Sequence, residues 1–278
     1  MTPRIIACAL SILALSAIAF EDVLLSFAES QAAAKQAGKP LAQFSVVAPN
    51  AKNYHAEVVQ KHYVRRLLDN EEFAGIKGAV VGEGGQKFFE IDGPLSAVLF
   101  KSGWHDAKDQ PIIAIREGAN PGVETELGLI LAEPITEKVE SVEALKKKVR
   151  ALVPVIELPA GLHNWPQKPK AIDLTAANVD SDNFIVGTAS TDLTIDLDAL
   201  PIQLFRGQQL LNETTGGDAK NGQWSNFLRQ VNWAVEQGYE LEPGHLVITG
   251  ALGKIIRDGA GSYRATFGAL GEIEFALE

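Results

Sequence analysis

The chain has 278 residues, of which 46% are hydrophobic and 22% charged, the balance of a globular protein able to bury a core as one large or two ordinary domains. Its formal net charge of −10 argues against nucleic acid or an anionic membrane surface as a partner, since both call for a basic face. An acidic ligand would need a locally supplied cation, and a bound metal ion is one source of it.

From the N-terminus, Met1-Thr2-Pro3-Arg4 is a short basic segment, residues 5–19 are apolar and small, and Ala17-Ile18-Ala19 has the small-residue pattern of a cleavage site. Residues 1–19 therefore read as an export signal, which predicts a periplasmic or secreted protein with no membrane contact after its removal. The alternatives are a buried N-terminal helix in a cytoplasmic protein, or an uncleaved anchor. The apolar run is short of the roughly 20 residues that span a bilayer. Cys8 is the only cysteine, so a processed chain would have no disulfide, thiolate nucleophile or Cys-bound zinc.

Leu24, Phe27, Ala28 and Ala32 recur at helical spacing, predicting a helix over 21–39 that Gly38-Lys39-Pro40 stops. A second helix is expected over 51–72, with Tyr54, Val58, Tyr63 and Leu67 on one side. After Gly75 the pattern changes to short apolar or alternating segments separated by Gly and Pro. Strands are expected at 97–100, 112–116, 123–131, 153–158, 184–187, 201–206, 246–249, 263–267 and 273–277, with helices at 141–152 and 224–237. A helical region over 20–75 thus precedes a β-rich region over 76–278. The glycine-rich stretch 82–87 lacks the G-K-[ST] of a phosphate loop and reads as a turn.

The most informative strand carries two acids. In Val123-Glu124-Thr125-Glu126-Leu127, alternation sends Glu124 and Glu126 to one face and Val123, Leu127, Leu129 and Leu131 to the other. A third acid, Glu157, sits in the apolar run 153–159. Three carboxylates converging on one point would make a hard-cation site for Mg²⁺ or Mn²⁺. The histidines show no ligand spacing; among them His105 is the candidate for the rim of a pocket, the alternative being a surface position.

Five segments in order carry a resemblance: 122–131 to a G-V-E-x-E strand, 153–158 to P-A-I-E, 177–187 to D-N-x-S-S-x-x-F-V-L-G, 241–252 to L-x-x-G-D-x-V-L-T-G-x-L, and 267–275 to F-x-x-L-G-x-V-x-x-F. Together they resemble the fumarylacetoacetate hydrolase superfamily, in its 2-oxopent-4-enoate hydratase and 4-oxalocrotonate decarboxylase branch. The resemblance implies an α+β fold, a mixed β-roll with an N-terminal helical region. It implies Glu124, Glu126 and Glu157 as metal ligands and Lys77, in 74–78, as the catalytic lysine, its ammonium disfavoured in a closed pocket. Ser181 matches a serine that binds substrate, or else serves the turn 180–183. Thr249 and Gly250 would offer a hydroxyl and an N–H to a substrate carboxylate, or mark a strand end that must turn.

The implied substrates are small 2-oxo-enoic acids such as 2-hydroxypenta-2,4-dienoate, and the implied reaction is hydration by a homo-oligomeric, Mg²⁺- or Mn²⁺-dependent lyase. A decarboxylase would share its early chemistry. A C–C hydrolase of this superfamily brings a His–Glu pair near the lysine, and no such motif is visible. One departure matters: Leu95 stands where the family has an acid, and Asp92 is out of register. That departure keeps a non-catalytic, exported binding protein among the readings.

Overall fold

The computed structural model describes residues 3–278, with side chains from Phe20 onward. Helix α1 (Pro3–Gln36) takes in most of the expected export signal, whose side chains lie outside the described residues. Among the described residues no helix is long and apolar enough to cross a membrane. Leu24, Phe27, Ala28 and Ala32 are buried as their spacing predicts, and Gly38, at φ +62°, turns the chain away from the helix end. After β1 (Leu41–Ala42) and the single turn α2 (Phe44–Val47), α3 (Asn53–Leu68) buries Ala56, Val59, Tyr63, Val64 and Leu67. Tyr54 and Val58 are exposed, contrary to expectation. Val58 precedes Tyr63 by five residues, about 140° around the helix, so the two cannot share the buried stripe.

The β-rich region opens with β2 (Phe73–Ala79), followed by α4 (Glu83–Phe89), β3 (Leu95–Phe100), β4 (Trp104–Asp106) and β5 (Ile112–Ile113). Next come β6 (Glu124–Leu131), α5 (Val142–Lys146), β7 (Val149–Leu158), β8 (His163–Asn164), α6 (Ala171–Ala176) and β9 (Asn183–Val186). The chain finishes with β10 (Pro201–Arg206), β11 (Gln209–Thr215), α7 (Gln223–Gln237), β12 (Leu246–Ile248), β13 (Gly261–Thr266) and β14 (Glu272–Leu277). Several segments differ from the sequence reading. Residues 83–89 are helical rather than a turn, the helix over 141–152 stops at Lys146 and gives way to β7, and β2 and β11, with the short β1, β4 and β8, were not expected.

Seven strands form a mixed sheet in the order β3-β2-β12-β6-β7-β9-β4, and five form a second in the order β11-β10-β13-β14-β5. One face of the seven-stranded sheet, with Ile76, Leu127, Leu129 and Ile156, packs on Leu204, Ala265 and Phe275 of the second sheet and on Phe227 of α7. The other face curls onto itself, since Leu99 near one edge and Phe184 near the opposite edge join one cluster with Ile130, Val155 and Ile248. Helices α1 and α3 close the β3 edge through Val98 and Phe100. The fold is thus an α+β mixed roll, with a buried inner face.

Strand β2 enters that roll by a close approach that only glycine permits. Gly75 has φ +148°, and a Cβ there would stand 1.9 Å from the Leu246 carbonyl oxygen of β12. Gly75→Ala is expected to lower unfolding stability by roughly 2–4 kcal/mol, from clash plus backbone strain. Urea unfolding measures it; a midpoint unchanged at constant slope would contradict the close approach.

Candidate active site

Strand register assembles the site. Glu124 of β6 pairs across from Glu157 of β7, and Glu126 lies two residues along on the same face. Ile248 of β12 pairs with both Gly128 of β6 and Lys77 of β2, so Lys77 points to that same inner face from two strands away. All four charged groups are buried. One carboxylate oxygen from each glutamate lies within 4.8 Å of the others. Lys77 Nζ forms an ion pair with Glu157 Oε1, and lies 3.4 Å from the Val179 carbonyl oxygen.

Two carboxylate oxygens in this group, Glu126 Oε1 and Glu157 Oε2, are buried with no hydrogen-bond partner among the described residues. Such groups are costly, and natural proteins rarely leave them so. Oxygen donors from three carboxylates, two with unspent lone pairs, fit a hard divalent cation. Burial pushes Glu126 up to about 8; Lys77 opposes that shift and Glu124 adds to it. Burial also raises Glu157 and Glu124 against the pull of Lys77. For Lys77 burial works toward a lower value, but attraction from Glu157, Glu124 and Glu126 prevails and leaves its ammonium above the ordinary lysine range. That differs from the expected lowering, which presumes a cation neutralising the three acids.

A cavity of about 340 Å³ opens beside Lys77 and Glu124, walled also by Val179, His163, Asp180 and Arg257. Part of its wall is strained backbone. Asn178, Val179 and Asp180 have φ of +50°, +50° and +55° in succession, which for a β-branched valine is a true outlier. The turn is held by Asn178, whose amide donates to the Val98 carbonyl and whose Oδ1 accepts from the Val98 N–H, each at 2.9 Å. Strain held this firmly beside a cavity directs the Val179 carbonyl to Lys77 and the Asp180 carboxylate to the cavity wall.

The other expected site residues fall differently. Ser181 is buried with its Oγ unpartnered, next to the strained turn, and is not part of the cavity wall. Thr249 Oγ1 donates to the Leu127 carbonyl oxygen at 3.3 Å, and the Gly250 N–H donates to Glu126 Oε2 at 2.9 Å. Both donors are spent inside the protein, tying β12 to β6 and fixing Glu126, rather than aimed at a ligand's carboxylate. Leu95 pairs with Ala79 at the start of β3 and Asp92 is exposed; neither walls the cavity. His105 sits at 3.0 Å from Asn183 Oδ1, away from the cavity. His163 and Asp180 do wall it, and no local spacing in the sequence marks them as a pair.

A curled mixed sheet that buries three carboxylates and a lysine on its inner face defines a fold of the fumarylacetoacetate hydrolase type. No family model matches the chain. It is 27% identical over 227 residues to 2-keto-4-pentenoate hydratase 2 of Dechloromonas aromatica (strain RCB), covering 81% of this chain and 85% of that protein. It is 25% identical over 266 residues to the 2-keto-4-pentenoate hydratase of Burkholderia vietnamiensis (strain G4), covering 89% of this chain and 98% of the relative. The fold matches 4-oxalocrotonate decarboxylase from Pseudomonas putida G7, solved with magnesium and adipate, at a TM-score of 0.83 and 16% identity, over 92% of this chain and 97% of that one. In sequence the chain is thus similar to 2-keto-4-pentenoate hydratases, and in fold to a decarboxylase of the fumarylacetoacetate hydrolase type.

Proposed function

We propose that the protein is a divalent-metal-dependent hydro-lyase acting on a small 2-oxo-enoic acid such as 2-hydroxypenta-2,4-dienoate. Glu124, Glu126 and Glu157 would hold the ion, Mg²⁺ or Mn²⁺. The observation that carries this reading is the pair of unpartnered carboxylate oxygens next to the cavity walled by Lys77 and Glu124, in a chain whose relatives are hydratases. Bound there, a divalent cation supplies Lewis acidity toward the keto oxygen and carboxylate of a chelating 2-oxo acid.

The protein's own groups do the rest. Lys77, held by Glu157 and the Val179 carbonyl, would give and take a proton at the substrate carbon next to the keto group. Arg257 puts a fixed positive charge on the cavity wall, where an acidic substrate needs one. The buried inner face limits water to what the reaction uses.

Two other readings have support of their own. The match to a decarboxylase at a TM-score of 0.83 favours loss of CO₂, and Leu95 in place of the family's acid favours a binding protein without turnover. One assay separates them: purified protein with Mg²⁺ or Mn²⁺ and 2-hydroxypenta-2,4-dienoate, followed by ultraviolet absorbance. Metal-dependent decay to a 4-hydroxy-2-oxo acid supports the hydratase. Release of CO₂ from a 4-oxalocrotonate-type diacid without hydration supports the decarboxylase. Oxalate raising the melting temperature only with metal, with no turnover of either substrate, supports the binder. We also infer export from residues 1–19: a natural N-terminus at Phe20 supports it, and one at Met1 overturns it. Light scattering of the purified protein tests the homo-oligomer that the family resemblance implies.

A further inference from the structure

The cavity wall holds an imidazole–carboxylate pair that the carboxylate trio does not use. His163 Nε2 lies 3.0 Å from Asp180 Oδ1, at hydrogen-bond distance though not aligned for a linear bond. The His163 ring stacks on Trp165, with centroids 4.0 Å apart and planes 10° from parallel. Asp180 is fixed from behind: its Oδ2 accepts the Gly161 N–H at 2.8 Å, and its carbonyl accepts from the Ala160 N–H. Burial pushes the Asp180 carboxyl upward, but His163, the Gly161 N–H and Lys35 hold it below its ordinary value, so it stays a carboxylate. Among the described residues no hydrogen bond engages Nδ1, and His163 lines the cavity.

The remaining ionisable groups on the wall are poor candidates for accepting a proton from water. Glu124 belongs to the trio, and Lys77 is ion-paired with Glu157. Arg257 cannot lose its proton, and Asp218 is exposed at the rim. Leu95, in the place of the family's acid, does not reach the cavity.

We propose that His163, oriented by Asp180 and Trp165, is the general base that activates the water added to the substrate. The proposal rests on the hydratase reading and deepens it. In a 2-oxo-3-enoate the water oxygen bonds to C4, and the C3–C4 π pair moves to an enolate over C2 and C3. His163 Nδ1 takes the proton that the water loses. C3 then takes a proton from the Lys77 ammonium as the ketone reforms. His163 gives its proton to solvent, Lys77 regains one, and one water has been added. His163 is thus a catalytic residue, and Asp180 a positioning residue that sets the ring's tautomer and direction.

The test uses the full chain with Mg²⁺ and two reactions. Hydration of 2-oxopent-3-enoate needs activated water; deuterium exchange at C3 of the saturated 2-oxopentanoate needs only enolisation. His163→Gln is expected to lower kcat for hydration by about 10²- to 10³-fold while exchange stays within about threefold of the unmodified protein. Added imidazole should restore part of the hydration rate in His163→Gly. Asp180→Asn should lose about tenfold in kcat with KM unchanged. Hydration intact in His163→Gln overturns the proposal. Exchange and hydration lost together in that variant also overturn it, since the ring then merely supports the site. An unmodified protein that exchanges but does not hydrate, or does neither with Mg²⁺ or Mn²⁺, removes the hydratase reading itself.

Discussion

Lys77→Met is expected to abolish turnover, by about 10³- to 10⁴-fold, and also to destabilise the metal-free protein by roughly 3–5 kcal/mol. The methionine nearly fills the space of the lysine stem, so little of the loss comes from packing. What disappears is the cation buried against Glu157, with Glu124 and Glu126 close by. The carboxylates then either stay charged without a partner or take up protons, and each course costs stability at neutral pH. The two losses separate through the metal. A divalent cation supplies the missing positive charge, so Mg²⁺ should recover most of the variant's stability while activity stays absent. Urea unfolding with EDTA and with Mg²⁺, set beside kcat, reads both. Equal destabilisation with and without metal would show that Lys77 acts as packing rather than as counter-charge.

How much of this was legible beforehand depended on whether a feature is local. Strands β6 and β7 stand out because alternation and apolar runs are local patterns, and the three acids could be placed on one face from spacing and family likeness together. Strand β2 was hidden. Its sequence FAGIKGA has no alternation and two glycines, and it is a strand because β3 and β12 pair with it from either side while Gly75 accepts a φ that no side chain tolerates. Lys77 was therefore singled out by resemblance and not by period. The donors of Thr249 and Gly250 meet partners that spacing could not reveal, because Leu127 and Glu126 lie far away in sequence. His163 escaped for the same reason: its partner Asp180 comes from a turn whose three left-handed residues no propensity foretells. The same long-range logic gave this site a His–acid pair near the lysine where the sequence displayed none.

The buried trio also dictates how acid and metal compete. In the metal-free protein Glu126 is raised from an ordinary 4.5 to about 8, and Glu124 and Glu157 are raised with it, burial being the main cause in each. A carboxyl whose folded value exceeds its unfolded value binds more protons folded than unfolded in the interval between them. Stability then falls as pH rises. The metal-free protein should accordingly be most stable near pH 4.5 and lose a few kcal/mol on the way to about pH 8, the opposite of the usual carboxylate trend. Lys77 does not offset this, because its raised value keeps it charged throughout that window. Metal binding requires the deprotonated acids, so uptake at pH 7 should expel about one proton per ion, and apparent affinity should rise by about tenfold per pH unit until pH 8. Calorimetry of Mg²⁺ or Mn²⁺ binding in two buffers of different ionisation enthalpy counts those protons directly. Melting curves at pH 5, 7 and 9 give the companion result, a stabilisation by metal that grows with pH. Binding that releases no proton at pH 7, or metal-free stability that climbs between pH 5 and 8, would mean the three glutamates are already ionised and solvated, and hence not the closed site their geometry describes.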